Sequence, residues 1–178
     1  ALAAVMDGDR SLTVMFGSQT GNAAGLAEQT AKMAADFGLQ AKVVDMDGAD
    51  TSALAAGRLL IITSTWGEGE MPDNAETLWQ ATNSANPGLG GTHYSVCAIG
   101  DTSYDEFCKA GTDWDDKLAA LGATSVRDIQ LCDVDYTPPW KVWVVEALSR
   151  IACVDASGTF HEALVDEMLA YGTSGDDD

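Results

Sequence analysis

Two apolar runs carry the strongest pattern in the chain, Leu59-Leu60-Ile61-Ile62 and Tyr94-Ser95-Val96-Cys97-Ala98-Ile99. Unbroken runs of this length, bounded by polar loops, are the mark of central parallel strands covered on both faces. Leu12-Thr13-Val14-Met15-Phe16 reads as the first strand, and Ala41 to Met46, mixed in polarity, as an edge strand. The last strand is expected over Ser125 to Leu131. Between these lie stretches of helical spacing. Leu26, Met33, Ala34 and Phe37 fall on one face of a helix from Ala23 to Phe37, with Gly38 where a stop is expected. Thr51 to Ala56 reads as a short helical piece, Asn74 to Thr82 as a helix, and Trp114 to Leu121 as belonging to a helix that Gly122 ends. Pro138-Pro139 suits the opening of another, Trp140 to Ile151. Strands alternating with helices predict an α/β fold, a doubly wound five-stranded parallel sheet with right-handed crossovers and helices on both faces. Residues 1–10 read as a poorly tied leader and 11–155 as one domain. Residues 156–178 read as an extra helix, with Phe160, Leu164 and Met168 as a narrow core-packing stripe, and an acidic tail.

Three polar loops each follow a strand, and in a doubly wound sheet ligands sit outside the strands' carboxyl ends. The first, Gly17-Ser18-Gln19-Thr20-Gly21-Asn22-Ala23, opens a helix. Free amides and the positive dipole end make such a helix start an anion site. Ser18, Thr20 and Asn22 add side-chain donors, and no Lys or Arg is present, so a phosphate would be held by neutral donors. No Gly-Lys-Ser/Thr follows, which excludes a P-loop. The order Gly-Ser-x-x-Gly excludes a nucleophile elbow. The second loop, Ser64-Thr65-Trp66-Gly67-Glu68-Gly69, and the third, Gly100 to Cys108, each offer an aromatic ring, Trp66 and Tyr104. Two rings with polar backbone between them suit a flat heteroaromatic ligand.

Charge narrows the partners. Nine Lys and Arg face 28 Asp and Glu, a net charge of -19. This argues against nucleic acid and anionic membranes, and favours a partner with a basic face. A solvated acidic surface, including one adapted to high salt, explains the same number. Cys97, Cys108, Cys132 and Cys153 form no C-x-x-C pair and read as reduced, which points to the cytoplasm. No apolar run is long enough to span a bilayer. His93 and His161 are isolated, and no metal-ligand cluster is visible.

The three loops, in this order and spacing, resemble those of the flavodoxin family and of the similar FMN domains of diflavin reductases such as sulfite reductase flavoprotein and cytochrome P450 reductase. The resemblance runs from about Ser11 to Ile151 and implies strand order 2-1-3-4-5, in the short-chain form. It implies FMN as cofactor. Ser18, Gln19, Thr20, Gly21 and Asn22, with the Ala23 amide, would hold its phosphate. Ser64, Thr65, Trp66 and Gly67 would border one side of the ring, and Gly100, Asp101 and Tyr104 the other, with Phe107 and Cys108 beside them and Cys108 near the pyrimidine edge. The peptide at Gly67 would turn to offer a carbonyl to flavin N5–H in the semiquinone, a motion glycine tolerates. Where many flavodoxins carry Thr, this chain has Ala23. Glu68-Gly69-Glu70, Pro72-Asp73-Asn74 and Asp133-Val134-Asp135-Tyr136 look more like the diflavin reductases.

The implied function is that of a low-potential one-electron carrier, not of an enzyme acting alone. Glu68, Glu70, Asp73, Asp101, Asp105 and Glu106 lie in or beside the ring loops. One carboxylate at ~10 Å opposes added negative charge by about 0.4–1.7 kcal/mol. With Asp133 and Asp135 these residues form a surface for basic-faced redox proteins, a reductase and an acceptor, and a monomer is expected. A free-standing flavodoxin and an FMN domain from an NADPH-dependent diflavin reductase are the two leading readings. A flavodoxin-like NAD(P)H:quinone oxidoreductase would need a nicotinamide site that the sequence does not display. A domain that keeps the fold without flavin would not need the intact loops.

Overall fold

The computed structural model describes residues 2–18, 20–66 and 69–174. Its elements, in chain order, begin with helix α1 (Ala3–Met6), strand β1 (Ser11–Gly17), helix α2 (Asn22–Ala34) and strand β2 (Gln40–Asp45). Strand β3 (Arg58–Ser64), helix α3 (Glu76–Ala85), strand β4 (His93–Ile99) and helix α4 (Lys109–Ala120) follow. Strands β5 (Thr124–Ser125) and β6 (Gln130–Cys132) and helices α5 (Thr137–Ile151) and α6 (Val165–Thr173) complete the chain. Short 3-10 turns cover Ala35–Phe37, Thr51–Ala55, Asp73–Ala75 and Glu162–Leu164.

The sheet is parallel, in the order β2-β1-β3-β4-β5, with β6 also pairing β4. Val14 pairs with Val43 on one side and Leu60 on the other, and Ile61 pairs with Val96. The central position of β3 and β4 explains the apolar runs 59–62 and 96–99 within them. Side chains alternate between faces with period two. Leu12, Val14, Leu60 and Ile62 bury against α2 and α5, whose contributions include Leu26, Trp143 and Leu148. Met15, Leu59, Ile61 and Val96 bury on the opposite face with Leu78 of α3 and Trp114 and Leu118 of α4. At the edge, β2 stays partly exposed, as its mixed polarity requires. Gly38 takes the left-handed conformation, φ 72°, that ends the α2 region.

Three expectations need correction. The last strand is not continuous: residues 126–129 break it into β5 and β6. There the Arg127 carbonyl accepts the Ser95 hydroxyl at 2.9 Å, and that hydroxyl accepts Trp143 Nε1 at 2.9 Å. A buried hydroxyl with two partners outweighs regular pairing at the sheet edge. The leader is tied down. Val5 is fully buried, and the buried Arg10 guanidinium donates to the carbonyls of Val5, Phe37, Gly38 and Ala152. Helix α4, to which Trp114 belongs as expected, opens directly after the third loop, at Lys109. The final helix starts at Val165, so Phe160 precedes it, bridged to Val154 instead, and Leu164 closes the 3-10 turn. Met168 enters the same core as α2 and α5. A β-carbon on Gly172 would stand 2.1 Å from the Phe37 ring, so only glycine lets α6 sit this close. The expected tail, Asp176-Asp177-Asp178, lies outside the described residues.

Candidate cofactor site

The carboxyl ends of β1, β3 and β4 are neighbours, and the loops that follow them converge. Thr20 and Asn22 of the first loop, Ser64, Thr65 and Trp66 of the second, and Gly100, Asp101, Tyr104, Phe107 and Cys108 of the third line one cleft of about 210 Å³. Ile99 and Glu106 complete the wall. Ser18, Gly21 and Ala23 shape the first loop without lining this cleft. Gln19, Gly67 and Glu68 lie outside the described residues.

The first loop turns at Gly21, whose φ of 91° is left-handed and favours glycine. Its amide donates to Ser18 Oγ at 2.8 Å. The Ser18 hydroxyl therefore accepts within the loop, and its own proton takes no part in that bond. The Ser18 amide donates to Asn74 Oδ1 at 2.8 Å. Ala23 is fully buried, so the missing hydroxyl at that position is replaced by core packing.

The second loop is a tight reversal. The Trp66 amide donates to the Glu70 carbonyl and the Glu70 amide to the Trp66 carbonyl, both at 2.8 Å. At the loop's base the Thr65 amide donates to the Ile99 carbonyl at 3.0 Å, and Thr65 Oγ1 accepts the Ala110 amide at 3.0 Å. Thr65 thus fixes the second loop against the start of α4. Held this way, the Trp66 side chain is 45% exposed.

The third loop is pinned at both ends. Asp101 Oδ1 accepts the Ser103 amide and hydroxyl at 2.8 and 2.6 Å, and the Tyr104 amide donates to the Asp101 carbonyl at 3.1 Å. Tyr104 stands 51% exposed. Cys108 is fully buried in the left-handed region, φ 56°, with its thiol 3.5 Å from the carbonyls of Ala98 and Cys132. Burial pushes that thiol up to about 12. It is a packed, protonated wall and not a nucleophile.

Two residues of the site gave no signal of their role in the sequence. Asn74 reaches the first loop from the turn before α3. Asp133, assigned only to a docking surface, accepts the Thr102 amide at 3.0 Å, the Thr102 hydroxyl at 2.6 Å and the Val134 amide at 2.8 Å. Those bonds, the Thr102 hydroxyl first, hold its carboxyl below the usual range. Asp133 therefore braces the third loop. Among the described residues no group of three or more His, Cys, Asp or Glu is placed to hold a metal ion.

Residues 14–141 match the family described as Flavodoxin. The chain belongs to the flavodoxin family. Among curated proteins it is 37% identical over 145 residues to the sulfite reductase [NADPH] flavoprotein alpha-component of Thiocapsa roseopersicina, covering 80% of this chain and 28% of that protein. It is 41% identical over 149 residues to the protein of the same name from Vibrio parahaemolyticus, covering 83% of this chain and 24% of the other. The chain thus spans about a quarter of the length of these relatives. Among solved structures, a mutant flavodoxin from Pseudomonas aeruginosa superposes with TM-score 0.70 at 28% identity, covering 78% of this chain and 97% of that one. The flavodoxin of Streptococcus pneumonia gives TM-score 0.64 at 26% identity, covering 91% and 94%.

FMN is the cofactor of this family, and the donor set fits it. A dianionic phosphate suits a helix start ringed by hydroxyl and amide donors. A flat ring suits Trp66 and Tyr104, which two separate loops expose on one cleft. Gly100 lets the backbone wall stay close to Cys108, where any side chain would collide.

Proposed function

We propose that this chain binds FMN in the three-loop cleft and passes single electrons between redox proteins. The observation that carries this reading is the convergence of Trp66 and Tyr104, from different strands, on the cleft that Thr20 and Asn22 also line. FMN, when bound, supplies the electron chemistry. Ser18, Gln19, Thr20, Gly21, Asn22 and the Ala23 amide hold the phosphate. Trp66 and Tyr104, which line the cleft, would stack on the ring and shield it from water. Ser64, Thr65, Gly100, Asp101, Phe107 and Cys108 shape the remaining border, and Gly67 would join them.

Glu70, Asp101, Asp105 and Glu106 set a negative field around the ring. Each carboxylate at ~10 Å disfavours electron uptake by about 0.4–1.7 kcal/mol. About 1.4 kcal/mol corresponds to about 59 mV for one electron. Several together lower the second reduction step and make the carrier a low-potential one. The same groups, with Asp133 and Asp135, form the contact for a reductase and an acceptor with basic faces. The chain works as a cytoplasmic monomer in this reading.

A second reading makes the chain the FMN module of a sulfite-reductase-type flavoprotein. Its identities of 37% and 41% to such proteins exceed those of 28% and 26% to the flavodoxins above. The size of the polypeptide made in the source cell separates the two readings. The test common to both is anaerobic stepwise reduction of the FMN-loaded protein, followed by visible absorbance. Two resolved one-electron steps, the second at much lower potential, support the carrier. Failure to bind FMN rejects the site. A single two-electron step rejects the one-electron role.

A further inference from the structure

We propose that Asn74 is a positioning residue for the cofactor's phosphate, acting through Ser18 and held in place by Asp45. This inference rests on the FMN reading above. Asn74 lies in the Asp73–Ala75 turn that precedes α3, far along the chain from the loop it supports. Its Oδ1 accepts the Ser18 amide at 2.8 Å, and its Nδ2 donates to Asp45 Oδ1 at 2.8 Å. The Asp47 amide donates to the same Asp45 oxygen at 2.9 Å and steadies it. A backbone N–H can only donate and a carboxylate can only accept, so the Asn74 amide has one permitted orientation. The chain of contacts runs from the carboxyl end of β2, through Asn74, to the first residue after β1.

Its consequence lies in what it leaves available. With the Ser18 amide bound to Asn74 and Ser18 Oγ accepting the Gly21 amide at 2.8 Å, the Ser18 hydroxyl proton is used by neither bond and can turn to an anion. Neutrality matters as well. An aspartate here would accept the Ser18 amide but would face Asp45 and repel a phosphate dianion. Asn74 does not line the cleft of the two aromatic rings. Its effect therefore falls on the phosphate and not on the ring.

Riboflavin has the ring without the phosphate, and it supplies the discriminating probe. FMN and riboflavin are titrated separately into apoprotein, with binding read from flavin fluorescence, for the native chain, N74A, D45A and the double variant. N74A is expected to weaken FMN about tenfold and to leave riboflavin within about twofold. D45A is expected to act in the same direction but less, and to add nothing in the N74A background, as residues acting in series do. N74A that weakens both flavins equally, or neither, overturns the inference. Should N74A fail to fold, the FMN-to-riboflavin ratio of D45A decides in the same way, because Asp45 is exposed at the sheet edge. A native chain that binds neither flavin overturns the FMN reading and this inference together. A native chain that prefers FMN, with that preference intact in the variants, overturns this inference alone.

Discussion

A β-carbon on Gly100 would stand 2.8 Å from the Cys108 amide nitrogen and 3.0 Å from its sulfur. The third loop leaves β4 and returns to α4 across this contact, and the nearest obstacle is backbone that cannot rotate away. Gly100→Ala is therefore expected to push the loop off its seat. Overpacking of this kind costs about 1–3 kcal/mol. The measurement is a urea denaturation midpoint beside an FMN titration. Both should fall in G100A, and an unchanged midpoint would show that the loop shifts freely.

Trp66 and Tyr104 should behave differently from Asn74. Each is an exposed ring, and among the described residues no hydrogen bond of its loop involves the side chain. Loss of one stacking partner costs roughly 0.5–1.5 kcal/mol beyond area burial. W66A and Y104A should each weaken FMN and riboflavin alike, by about threefold to tenfold. Stability of the apoprotein should stay unchanged. A loss confined to FMN would mean that these rings serve the phosphate end.

The sheet was legible because β3 and β4 are buried on both faces and carry no polar interruption between Leu59 and Ile62 or between Val96 and Ile99. The loops were legible because their chemistry is local: a turn glycine, hydroxyls and an aromatic within a few residues. What the sequence hid is long-range pairing. Nothing beside Asn74 reveals that its amide meets Ser18, and nothing beside Asp133 reveals that it meets Thr102. The leader looked free because its anchor, Arg10, binds carbonyls rather than acidic side chains, and carbonyl partners leave no mark in the sequence. The broken last strand depends on Ser95, which read as one more strand residue until its hydroxyl took the Arg127 carbonyl.

Alkaline pH should destabilise the fold. Burial raises the Cys108 thiol to about 12 and the Cys153 thiol to about 11. It raises the Tyr94 hydroxyl as well. An unfolded thiol ionises near about 8.5. Above that value the unfolded chain releases protons that the folded chain keeps, so the stability, complete below about pH 8.5, falls as pH rises toward the folded values. Urea midpoints from pH 7 to pH 10.5 check this. Cys153→Ala should flatten the decline by one proton's share, and a flat native profile would contradict it.

Salt should act in opposite directions on electron transfer and on stability. At a net charge of -19, screening relieves self-repulsion, so thermal stability should rise with added salt. Screening also weakens steering toward a basic partner, so the electron-transfer rate should fall over the same range. E70Q and E106Q should lower that rate at low salt and reduce its salt dependence. Stopped-flow reduction by a basic reductase, set beside melting curves, reads both quantities. A rate independent of salt would assign the acidity to solvation alone.

Arg58 gives the sharpest test of how the end of the sheet remote from the cleft is held. It is buried on β3, and its guanidinium donates to the Val154 carbonyl from Nε at 3.0 Å and from Nη2 at 2.8 Å. Nη1 reaches the Ser11 carbonyl at 2.9 Å and Nη2 the Asp9 carbonyl at 3.0 Å. One planar fork thereby ties β3 to β1 and to the turn after α5. Burial, with Asp9 and Asp155 acting against it, draws its pKa down, yet a guanidinium starts so high that it stays charged. R58M removes these donors from the buried Val154 carbonyl and the part-buried carbonyls of Ser11 and Asp9, at about 1–3 kcal/mol for each that stays unsatisfied. A loss of about 3 kcal/mol in urea denaturation is expected, since water can reach some of them. R58K keeps the charge but not the fork, and should recover less than half. FMN affinity should hardly move in either variant, because the fork and the cleft occupy opposite ends of the strands. R58K restored to native stability would show that charge alone, and not the planar geometry, closes this end of the sheet.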